Sequence, residues 1–411
     1  MALVVQKYGG TSVGDPERIR AVADHIARTS RAGNDVVVAV SAMGKTTDEL
    51  IRLAGEVTDS EIPPPREMDM LLTAGERISM SLLCMAVNDL GVEARSFTGS
   101  QAGILTDVVH GKAKILEVRA DRIREAIADG AVAIVAGFQG MSTTREITTL
   151  GRGGTDTTAV AMAAALDADV CEIYTDVPGV FTADPRVCPS ARMHSRVSFE
   201  EMLEMAATGG RVLNLRSVEF ARNHDVPIHV RSSFTWQPGT WVDREDPDME
   251  SAIVSGVTHD TSEAKVTVTG VPDEPGVAAR IFRLLADREV NVDMIVQNVS
   301  TDGATDISFT APMDDLPVAR EVVETLSAGF DDASVRVDDG IGRVSLVGAG
   351  MKTHPGVAAK TFEVMAEHGI NIEMISTSTI RISCVIRAEH VERAVQVLHS
   401  AFGLDDPPGA S

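Results

Sequence analysis

Apolar residues fall into two alternating rhythms along the first half of the chain. Ala2 to Tyr8 is rich in strand-forming residues and stops at Gly9-Gly10; Asp15 to Arg31 then repeats Ile19, Val22, Ile26 and Ala27 at helical spacing. Asp35 to Val40, D-V-V-V-A-V, is the continuous apolar run of a strand buried on both faces of a parallel sheet. The same grammar predicts a helix from about Met68 to Leu90, a strand at Ala131 to Ala136, a helix at Thr157 to Leu166 and a strand at Val170 to Thr175. Such alternation predicts an α/β sandwich with a mainly parallel sheet, its ligands bound by loops at one sheet edge.

Around Trp236 to Ser251 the periodicity stops in a stretch rich in proline and acidic residues, which marks the main domain boundary. Beyond it the chain repeats itself. Pro275 to Ile295 and Pro355 to Ile375 match at 10 of 21 positions, and each copy sits between strands, Lys265 to Gly270 and Thr305 to Thr310 in one, Arg343 to Gly348 and Ile380 to Ile386 in the other. The expected domains are 1–235, a linker at 236–263, and two small modules at 264–340 and 341–411. A β-loop-α-β-β unit with Pro-Gly opening its helix resembles the ACT family of small-molecule sensors, of ferredoxin-like βαββαβ fold. A duplicated structural or dimerising module with no ligand is the alternative. Asp273, Glu274 and the free amides at the helix start could hold an amino acid's ammonium and carboxylate respectively.

A length of 411 residues suits two or three domains, and 44% hydrophobic with 24% charged residues suits a folded protein. The net charge of −23, with no basic patch, argues against nucleic acid and anionic membranes as partners. Cys84, Cys171, Cys188 and Cys384 form no C-x-x-C pair, so buried thiols are expected rather than disulfides or zinc. The N-terminus lacks a signal peptide and no stretch approaches membrane-spanning length, so a cytoplasmic location is expected.

Generic nucleotide fingerprints fail. A Walker A loop ending at Gly44-Lys45-Thr46 would need glycine at Ala39, and G-x-G-x-x-G from Gly151 would need glycine at Asp156. Instead K-Y-G-G-T-S at Lys7 to Ser12 closes the first strand. Its glycines let amides approach phosphate oxygens and its ammonium offsets their charge, although plain turn glycines would look the same. T-L-G-R-G-G-T-D-T-T at Thr149 to Thr158 presents Gly153, Gly154 and Thr155 at a helix start, with Arg152 able to fork onto a carboxylate or phosphate. Asp156 could cap that helix or orient Lys7.

These strings, with S-A-M-G-K-T-T-D-E-L at Ser41 to Leu50, G-E-R-I-S at Gly75 to Ser79, Y-T-D-V-P-G-V-F-T-A-D-P-R at Tyr174 to Arg186 and both repeats, resemble the aspartate kinase family in order. The resemblance implies an amino-acid kinase fold and transfer of the ATP γ-phosphoryl to L-aspartate, the first step of lysine, threonine and methionine biosynthesis. It implies Lys7 and Asp156 as catalytic, and Ser41, Thr47, Glu76, Arg152, Gly153, Gly154 and Thr155 around the aspartate. ATP would meet Lys7, Tyr8, Gly9, Gly10, Ser41, Thr175, Asp176, Phe181, Asp184, Arg186 and Arg211, although a turn at Pro178-Gly179 is an alternative reading of part of that segment. Mg²⁺ would be held by ATP phosphates and water, with no protein ligand.

Regulation by lysine, threonine or both is implied for the repeats. The effector-binding residues would be Asp273, Glu274, Pro275, Gly276, Val277, Ala278, Asn291, Val292, Asp293 and Gln297 in the first, and His354, Pro355, Gly356, Val357, Asn371, Ile372 and Thr379 in the second. Four positions depart from the family pattern: Thr155 for serine, Phe181 for tyrosine, Arg211 in G-G-R-V-L for lysine, and Thr379 for an acidic residue in S-T-S-T-I-R-I-S. Acetylglutamate, glutamate and uridylate kinases are rivals within the fold, and an amino-acid-binding regulator with an inactive kinase half is a rival outside it. A fused homoserine dehydrogenase is not expected. Oligomers are, since edge strands need partners, and a start near Met249 would give a separate regulatory subunit in an α/β assembly.

Overall fold

The computed structural model describes residues 1–58, 60, 63–244, 252–298, 303–327 and 333–405, so Met249 lies outside the described residues. The chain forms two units. One comprises Met1–Phe181, Met193–Ala207 and Arg211–Met249, the other Thr182–Arg192, Thr208–Gly210 and Glu250–Ser411.

The first unit opens with β1 (Leu3–Tyr8), α1 (Pro16–Arg31), β2 (Asp35–Val40), α2 (Thr46–Val57) and α3 (Pro65–Asp89). It continues through β3 (Ala94–Phe97), β4 (Ile104–Thr106), β5 (Ile115–Val118), α4 (Asp121–Ala128), β6 (Val132–Ala136), β7 (Gln139–Ser142) and β8 (Ile147–Thr149). It closes with α5 (Gly154–Leu166), β9 (Val170–Thr175), β10 (Arg196–Ser198), α6 (Phe199–Ala207), α7 (Leu215–His224), β11 (Ile228–Ser232) and β12 (Thr240–Asp243).

Eight strands form the main sheet in the order β10-β12-β11-β9-β1-β2-β6-β3, parallel throughout except between β11 and β12. A smaller sheet has the order β5-β4-β7-β8. Period-2 alternation divides the main sheet's side chains between two faces. Tyr8, Val36, Val38, Val40, Val132, Ile134 and Ala136 join one core with residues of α1 and α3. Lys7, next to Tyr8, therefore leaves β1 on the other face, where α5 packs. α1 starts where Asp15 accepts a hydrogen bond from the Arg18 amide at 2.9 Å and Pro16 takes the first helical position.

One expectation needs correcting: α3, at 25 residues, is long and apolar enough to cross a membrane by length and composition. Its sequence also carries buried Asp69, Thr73, Glu76 and Ser79, and its apolar Met80, Leu83 and Val87 pack into the core with α1. In this fold one face of the helix packs on the core and carries a polar seam, while Met70, Ile78, Leu82 and Met85 on it are exposed.

In the second unit, β13 (Gly256–Asp260) precedes β14 (Glu263–Pro272), α8 (Val277–Asp287), β15 (Ile295–Asn298), β16 (Ala304–Pro312), α9 (Leu316–Ser327) and β17 (Ser334–Asp338). The second repeat follows as β18 (Ile341–Val347), α10 (Val357–Glu367), β19 (Met374–Thr377), β20 (Arg381–Arg387) and α11 (Val391–Ala401). The first repeat has its own βαββαβ sheet, ordered β15-β16-β14-β17. The second departs from that pattern, because among the described residues its fourth strand is β13, antiparallel to β18 in the order β13-β18-β20-β19. The expected linker at 236–263 thus contributes β12 to one sheet and β13 to another. Short strands between turn-forming residues give little periodic signal.

The two repeats meet through equivalent residues. Met294 and Met374, from the shared N-x-D/E-M-I string, pack together with Ile341 and Val385. Asp293 pairs with Arg343 of the second repeat, and Glu373 pairs with Lys265 of the first. Arg343 is 2% exposed and also reaches Glu263 at 3.0 Å.

Candidate active site

Two loops and one helix face build the site in the first unit. Lys7 Nζ lies 2.6 Å from Asp156 Oδ1. Asp156 is the third residue of α5, whose N-cap is Gly153 without a side-chain cap, so its carboxylate serves the lysine and does not cap the helix. Gly153 is left-handed (φ 71°), and the Asn214 side chain occupies the space a Cβ would need, 2.2 Å away. Asn214 Nδ2 also donates to the Arg152 carbonyl at 3.2 Å. Arg152 itself is exposed, and among the described residues its guanidinium has no ion pair.

At the end of β2, the Ser41 hydroxyl donates to Thr155 Oγ1 at 3.0 Å and joins the second strand to the start of α5. α3 holds the same loop from below: Ser79 Oγ donates to the Ser41 carbonyl at 2.7 Å, and the Ala42 amide donates to Glu76 Oε1 at 3.2 Å. Glu76 is buried, and burial pushes its carboxyl up to about 7. Its other oxygen, Oε2, has no hydrogen-bond partner among the described residues. A buried, unpartnered carboxylate oxygen is a receptor for a cation. Thr47 is half-buried in the first turn of α2.

Not every expected nucleotide residue converges here. Gly9 lies beside Lys7, its notional Cβ 3.4 Å from Nζ, whereas Gly10 is needed for a close approach to the Ala42 carbonyl at 2.8 Å. The Tyr8 ring is a correction: it is fully buried and stacked on Tyr174 at 4.9 Å, so only its main chain could face a ligand. Thr175 and the exposed Asp176 end β9, hydrogen-bonded to each other at 3.1 Å. Phe181 is half-buried and bridges to Met193, and Arg211 is exposed. Asp184 and Arg186 belong to the second unit and pair with each other at 2.7 Å, which holds the Asp184 carboxyl below its ordinary value.

Residues that sequence reasoning missed hold the Arg152 loop. Asp69, 1% exposed on α3, accepts from Thr149, His110 and Gly111, and Arg216 Nη1 donates to the Leu150 carbonyl at 2.7 Å. Asp69 was findable, since it lies seven residues before Glu76 on the same helical face. Nothing in the sequence joins His110 or Arg216 to that loop.

In the second unit, Asp273, Glu274, Pro275 and Gly276 are exposed before α8, and Pro355 and Gly356 before α10, with His354 half-buried. Val277 and Val357 are corrections: both are buried in the cores of their repeats and offer a ligand only main chain. Asn291, Gln297, Asn371 and Thr379 are exposed, Ala278, Val292 and Ile372 pack partly on the cores, and Asp293 is engaged by Arg343. Cys171, Cys188 and Cys384 are buried and Cys84 is half-buried, all as free thiols. Cys188, His399 and Asp405 offer three possible ligand atoms within 4.8 Å of one another, a grouping the cysteine spacing did not reveal. Both ring nitrogens of His399 are already hydrogen-bonded, to Thr182 at 2.8 Å and Asp405 at 2.9 Å.

Residues 2–232 match the amino acid kinase family, and residues 265–328 and 344–402 each match an ACT domain. The chain is similar to the aspartokinase of Mycolicibacterium smegmatis, at 61% identity over 409 residues, 98% of this chain and 97% of that one. Among solved structures it is similar to E. coli aspartokinase III in complex with aspartate and ADP (R-state), with a TM-score of 0.82 and 26% identity over 97% of this chain and 99% of that one. The same enzyme in complex with lysine and aspartate (T-state) gives 0.75, again at 26% identity over 97% and 99% of the two chains.

Proposed function

The chain belongs to the aspartokinase family, and from that premise we propose how its own side chains divide the work. The reaction transfers the γ-phosphoryl of ATP to the side-chain carboxylate of L-aspartate, giving 4-phospho-L-aspartate and ADP. A carboxylate oxygen attacks Pγ, the new O–P bond forms in line as the bond to the bridging oxygen breaks, and ADP leaves with that electron pair. The acceptor is already ionised at neutral pH, so positioning and charge neutralisation suffice without a strong general base.

Lys7 supplies a fixed ammonium for the charge that spreads over the γ-phosphoryl, and Asp156 orients it. The 2.6 Å Lys7–Asp156 pair is the observation that carries this reading. Glu76 receives the aspartate ammonium through its unpartnered oxygen, and Arg152 takes the α-carboxylate. Ser41, Thr47 and the amides of Gly153, Gly154 and Thr155 complete the acceptor end. Gly9, Gly10, Thr175, Asp176, Phe181 and Arg211 serve the nucleotide. Mg²⁺ would be held by phosphate oxygens of the nucleotide and by water. Bound that way, the ion would supply charge neutralisation for the transferred group.

For the ACT repeats we propose feedback inhibition by lysine, threonine or both, bound at the exposed residues that precede α8 and α10. Ile295 and Ile375, 49% and 44% exposed at equivalent places on edge strands β15 and β19, support assembly through the repeats, as a homo-oligomer or with a separate regulatory chain. A cytoplasmic location fits this biosynthetic role.

Aspartyl hydroxamate formation from aspartate, MgATP and hydroxylamine tests the proposal. Product that persists undiminished in Lys7→Ala would overturn the catalytic assignment. Lysine and threonine together at millimolar levels should lower the rate, and an unchanged rate would overturn the regulatory one.

A further inference from the structure

We propose that Asp69 and His110 are positioning residues for the acceptor substrate, setting the Arg152 loop at a fixed height along α3 relative to Glu76. The idea rests on the assignment of Arg152 and Glu76 to the two ends of aspartate. It adds residues that touch no substrate.

Asp69 is 1% exposed, yet its carboxylate is fully used. It accepts from Thr149 Oγ1 at 2.5 Å, from His110 Nδ1 at 2.6 Å and from the Gly111 amide at 3.1 Å. The Thr149 hydroxyl and the Gly111 amide donate to it, and the His110 ring nitrogen completes the hub at hydrogen-bond distance. They also come from separate segments: the end of β8, and the loop between β4 and β5.

Both segments converge on the chain around Arg152. The Thr149 carbonyl accepts from the Ala113 amide at 2.9 Å. The Gly111 carbonyl lies 3.0 Å from where a Cβ on Gly151 would stand, so the His110 loop backs directly onto the glycine before Arg152. Arg216 ties the same pieces together, donating to the Leu150 carbonyl at 2.7 Å and to the Ala113 carbonyl at 3.0 Å.

Asp69 and Glu76 ride one face of α3 seven residues apart, roughly 10 Å along the axis. One rigid helix thus holds the ammonium receptor at one point and the base of the carboxylate receptor at another. The distance between them is the gauge against which an α-amino acid is measured. Asp69 anchors one end of that gauge, and His110 holds the loop that keeps the anchor seated.

The test is kinetic, on the full-length enzyme. Asp69→Asn keeps the shape but points an NH₂ group at donors; His110→Ala removes one donor, while His110→Asn restores a nitrogen near the position of Nδ1. Asp69→Asn and His110→Ala should raise KM for aspartate about tenfold or more, the size of one lost charge-assisted hydrogen bond. KM for ATP should move less than about threefold, and His110→Asn should recover most of the loss. Equal rises in both KM values with a lowered Tm would overturn the proposal in favour of a general structural role, as would an unchanged aspartate KM in a variant of unchanged Tm. If Asp69→Asn does not fold, the two His110 variants decide. Arg152→Ala separates the premises: an unchanged aspartate KM there would remove the assignment of Arg152, whereas a raised one beside a normal Asp69→Asn would remove only the positioning role.

Discussion

The ammonium of Lys7 and the carboxylate of Asp156 stand 2.6 Å apart with each side chain 12% exposed, so the cation is aimed before any nucleotide arrives. An enzyme that fixes a charge in advance spends no reorganisation on it during the reaction. Lys7→Met should lower kcat by about 10³-fold or more, and Asp156→Asn by about 10²-fold, with both proteins folded. ADP release in a coupled assay measures this, and a Lys7→Met enzyme within tenfold of the parent would reject the role.

Glu76 ties aspartate affinity to pH. Burial lifts its carboxyl from 4.5 to about 7, so the free protein carries the acid form below that point, while an ammonium ligand needs the anion. Aspartate KM should therefore fall as pH rises from 6 through about 7, by up to about tenfold per unit, and then level off. The same shift favours the folded state below 4.5 and loses that contribution as pH rises through about 7. Glu76→Gln should flatten both profiles, and a profile identical to the parent's would count against the assignment.

His25 should set part of the acid limit of stability. Its Nε2 meets the Tyr174 hydroxyl at 2.7 Å, its ring stacks on Trp236 at 4.1 Å, and burial lowers its pKa from 6.5 to about 4. The fold holds it neutral while the unfolded chain takes up a proton near 6.5. Its contribution is therefore present above 6.5 and is lost as pH falls towards about 4. Thermal melts of the parent and His25→Gln between pH 7 and 4.5 should converge at the acid end, and parallel curves would contradict this.

Arg343 is the keystone between the repeats. Its side chain is 2% exposed among Glu263, Asp293 and Asp260, and burial raises the Glu263 carboxyl. Arg343→Met leaves those acids without their shared cation and should destabilise the second unit by about 3–5 kcal/mol. Arg387, 41% exposed beside Asp338 and Glu373, is the control, and Arg387→Met should cost about 1 kcal/mol or less. Equal losses in thermal melts would refute the distinction.

What the sequence made legible was local. Lys7, Glu76 and Arg152 to Asp156 stand at strand ends, in a helix face or at a helix start, within short strings whose chemistry can be read residue by residue. The Tyr8 ring turns into the core for a reason also visible there, because strand neighbours point to opposite faces and Lys7 claims the ligand side. Asp69 and Arg216 reach Thr149 and Leu150 across 80 and 66 residues, and His110 meets Asp69 across 41, and no local pattern encodes such contacts. The helix α5 began three residues earlier than its apolar spacing suggested, since Gly153 opens it without a polar cap.

β13 has a consequence in time as well as space. The ribosome makes this strand before the whole first repeat, and its partner β18 follows only after β17 is finished. The edge of the second sheet must wait, unpaired, while an intervening module is synthesised and folds. The two repeats are therefore interlaced along the chain, and a regulatory fragment cut at residue 264 would leave the second sheet one strand short.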